Sequence, residues 1–197
     1  MEIDNKSLND YIRIYDNIFR EEHLNNFIRV CNNRKQFEPA SIVGTEENPI
    51  IVDKKIRNVQ AWDLANIGVE SRTDVYWANY FCFIITKHLR KYSEEIGMNA
   101  SNESITTMQL LKYENNGHYN FHVDHGKSIP RTFSCIFFVN DNYKGGELVF
   151  KYPGSTEELI VEKKSNRLII WPSNFLYPHA VKPVTEGVRY SVVAWAL

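Results

Sequence analysis

Apolar positions repeat along this chain with two different periods. In the first half, Leu24, Phe27, Ile28 and Cys31 fall at i, i+3, i+4 and i+7, which predicts a short amphipathic helix from about Glu21 to Asn32. From about Asp74 to Ile96 the same period returns, with Trp77, Phe81, Ile84, Ile85, Leu89 and Tyr92 on one broad stripe and Gly97 as the stop. Such stripes need a sheet to cover. His88 shares the second stripe and is read as a hydrogen-bonded packing residue, not a ligand.

After Asn102 the pattern shortens. Strands are predicted over Thr106 to Tyr113, Tyr119 to Asp124, Thr132 to Asn140, Glu147 to Lys151, Glu158 to Glu162, Arg167 to Trp171, His179 to Val184 and Arg189 to Ala196. Turn chemistry separates them, notably Asn115-Asn116-Gly117, Asn140-Asp141-Asn142 and Pro153-Gly154-Ser155. Short strands in close succession with no helix between them predict a two-sheet jelly roll, mainly β in class, with the N-terminal helices packed on one sheet. The polar, turn-rich stretch from Gly44 to Arg57 is read as a mobile loop, not a domain boundary.

The chain of 197 residues suits one well-cored domain, with 1–104 as a supporting region and 105–197 as the jelly-roll core. Its formal net charge of −1 lacks the basic excess of proteins that hold nucleic acid by its phosphates, so a nucleic-acid partner is not expected. Cys31, Cys82 and Cys135 are odd in number and show no Cys-x-x-Cys spacing, which argues against a disulfide framework or a thiolate zinc site and for a reducing cytosol. No apolar run reaches membrane-span length, and Met1-Glu2-Ile3-Asp4-Asn5 carries no feature of a secretory signal. A soluble, unprocessed cytoplasmic protein is the expectation.

Candidate chemistry is concentrated in the second half. In a strand, His122 and Asp124 of His122-Val123-Asp124 point to one face while Val123 packs on the other, and His179 arrives from elsewhere in the fold. Two imidazoles and a carboxylate on one side of a metal suit non-haem Fe(II) and leave positions open for substrate and dioxygen. A His-x-Asp pair alone is common by chance, so the surroundings carry the weight. His125 would face away from the ligands, and His118, behind Gly117, is placed at the pocket rim. Arg189 supplies a permanently charged planar fork suited to a carboxylate, within a strand of Val188, Tyr190, Val192 and Ala194. Its alternative is a surface ion pair.

Tyr113, Tyr119, His122 and Asp124 fit Tyr-x5-Tyr-x2-His-x-Asp, followed by Gly145-Gly146-Glu147-Leu148, the run Asn166 to Ser173, Pro178-His179-Ala180-Val181 and Gly187-Val188-Arg189-Tyr190-Ser191. From about Thr106 to Leu197 the chain resembles the prolyl 4-hydroxylase-like branch of the 2-oxoglutarate and Fe(II)-dependent dioxygenases. The resemblance implies a double-stranded β-helix and iron on His122, Asp124 and His179. It also implies 2-oxoglutarate held at its distal carboxylate by Arg189 with help from the Tyr113 hydroxyl, and hydroxylation coupled to loss of carbon dioxide and formation of succinate. Ascorbate is an expected reductant. Two positions depart from the pattern: Asn116 stands where the family has glycine, and asparagine tolerates the left-handed backbone. Phe138 stands where the related oxygen-sensing prolyl hydroxylases have a tyrosine serving the distal carboxylate, so another polar group is needed to complete the clamp.

The leading substrate is a prolyl residue of a protein or peptide, with Arg131, Trp195, Tyr119 and Arg57 as candidate contacts beside an open groove. A free amino acid or a peptidyl lysine would use the same iron centre, and a non-catalytic cupin-like sensing module is a second alternative. The nucleic-acid dealkylating branch has a second arginine six residues after the first, where this chain has Trp195.

Overall fold

In the computed structural model, residues 7–43, 50–64, 71–98, 104–126 and 129–197 are described. The first half holds β1 (Arg13–Asp16), α1 (Glu21–Asn33), β2 (Glu38–Pro39), β3 (Ile42–Val43), β4 (Ile50–Ile51), β5 (Arg57–Asn58), β6 (Gln60–Asp63) and α2 (Arg72–Glu95). The second half holds β7 (Ile105–Tyr113), β8 (His118–His122), β9 (Phe133–Phe138), β10 (Lys144–Gly145) and β11 (Leu148–Phe150). It continues with β12 (Leu159–Val161), β13 (Arg167–Pro172), β14 (His179–Val181), β15 (Val184–Glu186) and β16 (Arg189–Ala196).

Twelve of these strands form the two facing sheets of a jelly roll, and β3-β4 and β10-β15 form separate two-stranded pairs. The larger runs β1-β13-β9-β16-β7-β6-β2 and the smaller β12-β11-β14-β8-β5. The central strands β9 and β16 of the larger sheet are buried at every position because both of its faces are covered. Adjacent residues go to opposite sides: Leu110, Phe137 and Val192 join the helical core with Phe27, Trp77, Phe81 and Leu89. Leu111, Phe138 and Val193 join the inter-sheet core with Leu148, Phe150 and Val181 of the smaller sheet. The two amphipathic helices thus cover the sheet that their stripes called for. α2 starts at the N-cap Ser71, whose hydroxyl accepts from Asp74 N at 3.3 Å. His88 packs as expected, its Nδ1 donating to Ile84 O at 2.8 Å.

Three expectations are corrected. β8 ends at His122, and Val123 is 39% exposed, so strand alternation does not place Asp124. It sits in the bend that follows the strand. The strand expected over His179 to Val184 is two, β14 and β15, divided where Pro183 offers no N–H to a ladder. The loop expected from Gly44 to Arg57 lies partly outside the described residues, at 44–49, and the remainder carries β4 and β5. Arg57 there pairs with Tyr119 of β8 and is buried. No helix among the described residues is long and apolar enough to cross a membrane.

Candidate metal centre and anion pocket

His122 closes β8 and His179 opens β14, and the antiparallel register sets them opposite one another. Asp124 curls back between them. Its Oδ1 lies 3.5 Å from His122 Nε2 and its Oδ2 lies 3.4 Å from His179 Nε2, with all candidate ligand atoms within 4.8 Å of one another. Each imidazole is oriented by the carbonyl two residues upstream: His122 Nδ1 meets Asn120 O at 2.9 Å and His179 Nδ1 meets Tyr177 O at 3.1 Å. A carbonyl only accepts, so Nδ1 carries the proton and Nε2 presents its lone pair inward.

Electrostatics fits that assignment. Burial pushes His179 down to about 4, which keeps its imidazole neutral. Burial pushes the Asp124 carboxyl up, but the neighbouring His179 and His122 and a hydrogen bond from Ser134 outweigh it and hold the group well below the ordinary carboxylate range. Ser134 Oγ donates to Asp124 Oδ2 at 2.7 Å and lies 2.7 Å from Ser173 Oγ, both serines being buried. Arg131 Nη1 stands 3.9 Å from Asp124 Oδ1, and its guanidinium lies 3.8 Å from the centre of the Trp195 ring. Arg131 is therefore packed against the triad.

Arg189 opens β16 opposite Tyr113 of β7 and is fully buried. Its guanidinium lies 4.7 Å from the Tyr113 ring centre and 5.3 Å from that of Phe138. Nη1 reaches Ser191 Oγ at 3.2 Å, whereas Nε and Nη2 have no hydrogen-bond partner among the described residues. A surface ion pair is excluded. A guanidinium buried without a carboxylate partner is costly, and its free donors are of the kind that suit an anion. The turn before β8 survives its asparagine: Asn116 has φ 62°, and a Cβ on Gly117 would meet Glu114 O at 2.7 Å.

Tyr113, Tyr119, Arg57, Trp195 and the triad line one cleft of about 330 Å³, together with Trp171 and Val181. Much of that space is narrow or open to solvent, and only about 20 Å³ of it can hold the centre of a water molecule. Tyr119 stacks on His122 with ring centres 3.5 Å apart, and Arg57 lies 4.8 Å from the Tyr119 ring while Nη1 donates to Ser41 O at 2.7 Å. His118 does not line this cleft, contrary to expectation. Its ring lies 2.9 Å from Asn116 O and 3.2 Å from Lys55 O, tying β8 to the segment before β5. His125 supports the site from behind, Nδ1 meeting Arg131 O at 2.8 Å. Sequence reasoning missed Ser134, Ser173 and Trp171. The Trp171 ring centre is 4.9 Å from that of His179.

Residues 108–197 match the model of the 2OG-Fe(II) oxygenase superfamily. A PKHD-type hydroxylase from Aliarcobacter butzleri (strain RM4018) is 38% identical over 94 residues, which are 43% of this chain and 40% of that protein. Prolyl 3-hydroxylase 2 of Homo sapiens is 35% identical over 66 residues, 33% of this chain and 9% of that one. The chain thus spans well under half the length of these curated relatives. Among solved structures, a Trichoplax adhaerens prolyl hydroxylase in complex with a hypoxia inducible factor oxygen degradation domain peptide fragment superposes with a TM-score of 0.72 at 18% identity, covering 95% of this chain and 84% of that one. A Pseudomonas putida prolyl-4-hydroxylase superposes with a TM-score of 0.67 at 18% identity, covering 95% of each chain. At such identities the likeness is one of fold. Family match, shared fold and triad geometry converge: residues 108–197 are similar to the 2OG-Fe(II) oxygenase superfamily, and the chain has a prolyl hydroxylase-like fold.

Proposed function

We propose that this protein is an Fe(II)- and 2-oxoglutarate-dependent dioxygenase that hydroxylates an unactivated carbon, that of a prolyl residue in a protein or peptide, with release of succinate and carbon dioxide. The observation that carries the reading is Arg189, a fully buried guanidinium with no carboxylate partner among the described residues, in the same fold as a closed His-Asp-His triad. Two neutral imidazoles and one carboxylate fit a divalent iron and leave part of its coordination sphere free. When bound, the iron supplies dioxygen activation at the expense of the 2-oxo acid.

The protein's own tasks are holding, orienting and excluding water. His122, Asp124 and His179 hold the metal, Ser134 fixes the carboxylate, and Arg189 with Tyr113 takes the distal carboxylate of 2-oxoglutarate. Trp171, Val181 and Val193 line the cleft with apolar surface, which keeps water from reactive species. Arg131, Trp195, Tyr119 and Arg57 border the space left for the substrate. Ascorbate serves as reductant after uncoupled turnovers. We assign the chain to one domain: α1 and α2 share a continuous core with β9, β13 and β16, which supports this. Unpaired cysteine spacing supports a cytoplasmic setting.

A peptide substrate is favoured over a free amino acid by the cleft itself. A free amino acid brings an ammonium that needs a carboxylate partner, and Asp124, already committed to the triad, is the only acidic residue lining the cleft among the described residues. The prolyl hydroxylase fold supports proline as the target. The test is incubation with Fe(II), 2-oxoglutarate and proline-containing peptides, with mass spectrometry for one added oxygen atom and an assay for succinate. Succinate independent of Fe(II) and 2-oxoglutarate would overturn the activity. Turnover of free proline with none on peptides would overturn the substrate class.

A further inference from the structure

Beside Arg189 lies a second buried polar group. Tyr143 is 5% exposed, and its hydroxyl, like Nε and Nη2 of Arg189, has no hydrogen bond of good geometry among the described residues, although it lies close enough to the guanidinium to interact with it. Gly146 brings the two side chains together: a Cβ built there would lie 3.1 Å from Arg189 Cδ and 3.1 Å from Tyr143 Cε2. The backbone holds the pair in register. Asn140 Nδ2 donates to Val188 O at 2.8 Å, and its Oδ1 accepts from Tyr190 N at 2.8 Å, gripping the residues on either side of Arg189. Lys163 donates to the Tyr143 carbonyl and fixes the turn from below. Burial raises the Tyr143 phenol, against the charge and the N–H groups of the neighbouring Arg189, so the hydroxyl keeps its proton and remains a donor.

A buried phenol and the N–H groups on Nε and Nη2 of a buried guanidinium are costly to leave without an acceptor. An acceptor-only group with several lone pairs relieves them together, and a carboxylate is such a group. Phe138, 5.3 Å from the guanidinium, contributes only an apolar ring. We propose that the Tyr143 hydroxyl is the second donor to the distal carboxylate of the co-substrate, filling the place left by the missing hydroxyl at Phe138. This rests on the reading of Arg189 as the 2-oxoglutarate clamp.

Calorimetry on the full chain loaded with Mn(II) separates the possibilities. Two acids are titrated: 2-oxoglutarate, and 2-oxopentanoate, which has the same chelating end and no distal carboxylate. Tyr143→Phe is expected to weaken 2-oxoglutarate about tenfold, the value of one hydrogen bond to a charged group, and to leave 2-oxopentanoate and Mn(II) affinities at the wild-type level. Unchanged 2-oxoglutarate affinity in Tyr143→Phe overturns the proposal, as does an equal loss for both acids, the sign of loosened packing. A different pattern marks failure of the underlying reading: an Arg189→Ala protein that binds 2-oxoglutarate like wild type overturns the clamp and Tyr143's part in it.

Discussion

His122 and His179 face each other across β8 and β14 with ring centres 4.3 Å apart, and each donates its Nδ1–H to the carbonyl two residues before it. Both Nε2 atoms are thereby committed to the interior before any metal arrives. His179→Ala removes one donor but none of the strand pairing. Metal affinity, followed with Co(II) or Mn(II), is expected to fall more than about a hundredfold, while the melting transition shows at most about 2 kcal/mol of cavity cost. Retained affinity in this variant would refute the triad.

Ser134 tests how much the carboxylate depends on its support. Its hydroxyl holds Asp124 Oδ2 at 2.7 Å and is itself held by Ser173. Ser134→Ala should weaken metal binding about tenfold with little change in 2-oxoglutarate affinity once metal is saturating, and Ser134→Thr should restore most of it. Equal metal affinity in the alanine protein would show that the triad needs no such buttress.

Acid should weaken the edge of the larger sheet. Asp16 of β1 receives Arg167 Nε at 2.7 Å and Nη2 at 3.1 Å, and the Arg167 hydrogen bond is the main cause that holds its pKa at about 2, below the ordinary 3.8. A depressed folded-state carboxyl contributes stability that is complete above its unfolded value and is lost as pH falls through the folded one. Between pH 3.8 and about 2 this contribution therefore disappears. Asp16→Asn should lower stability at neutral pH by about 1 kcal/mol and flatten the acid limb of the denaturation profile in that window. An identical pH dependence in the two proteins would remove Asp16 from the account.

How much of this was legible depended on whether each residue's signal was local. The helices of 21–33 and 72–95 were legible because one apolar stripe fixes a helix face. His122, Asp124, His179 and Arg189 were legible by residue type and spacing, since few structural roles need a buried arginine or that donor set. Asp124's position was misread because alternation holds only inside a strand, and the strand stops two residues earlier. Ser134 lay unseen in an otherwise apolar run, where a small hydroxyl looks like any other buried position. Tyr143 meets Arg189 only because the turn after β9 folds onto the turn before β16, a contact between segments far apart in the chain.

Gly146 gives a last, independent handle on the anion pocket. It has φ +65°, and a Cβ there would come 2.9 Å from Val184 Cγ2 and 3.1 Å from both Arg189 Cδ and Tyr143 Cε2. Alanine would be strained in the backbone and would push against the stem of the arginine and the edge of the phenol ring. His122 and His179 lie on strands of the smaller sheet and Asp124 in the bend after β8, and none of the three is among these contacts. Gly146→Ala should therefore weaken 2-oxoglutarate about tenfold or more, cost about 1–3 kcal/mol of stability, and leave the affinity for Mn(II) unchanged. Parallel loss of metal and co-substrate binding would mean that the substitution disturbs the whole jelly roll, and normal 2-oxoglutarate affinity would mean that the carboxylate does not bind beside Arg189.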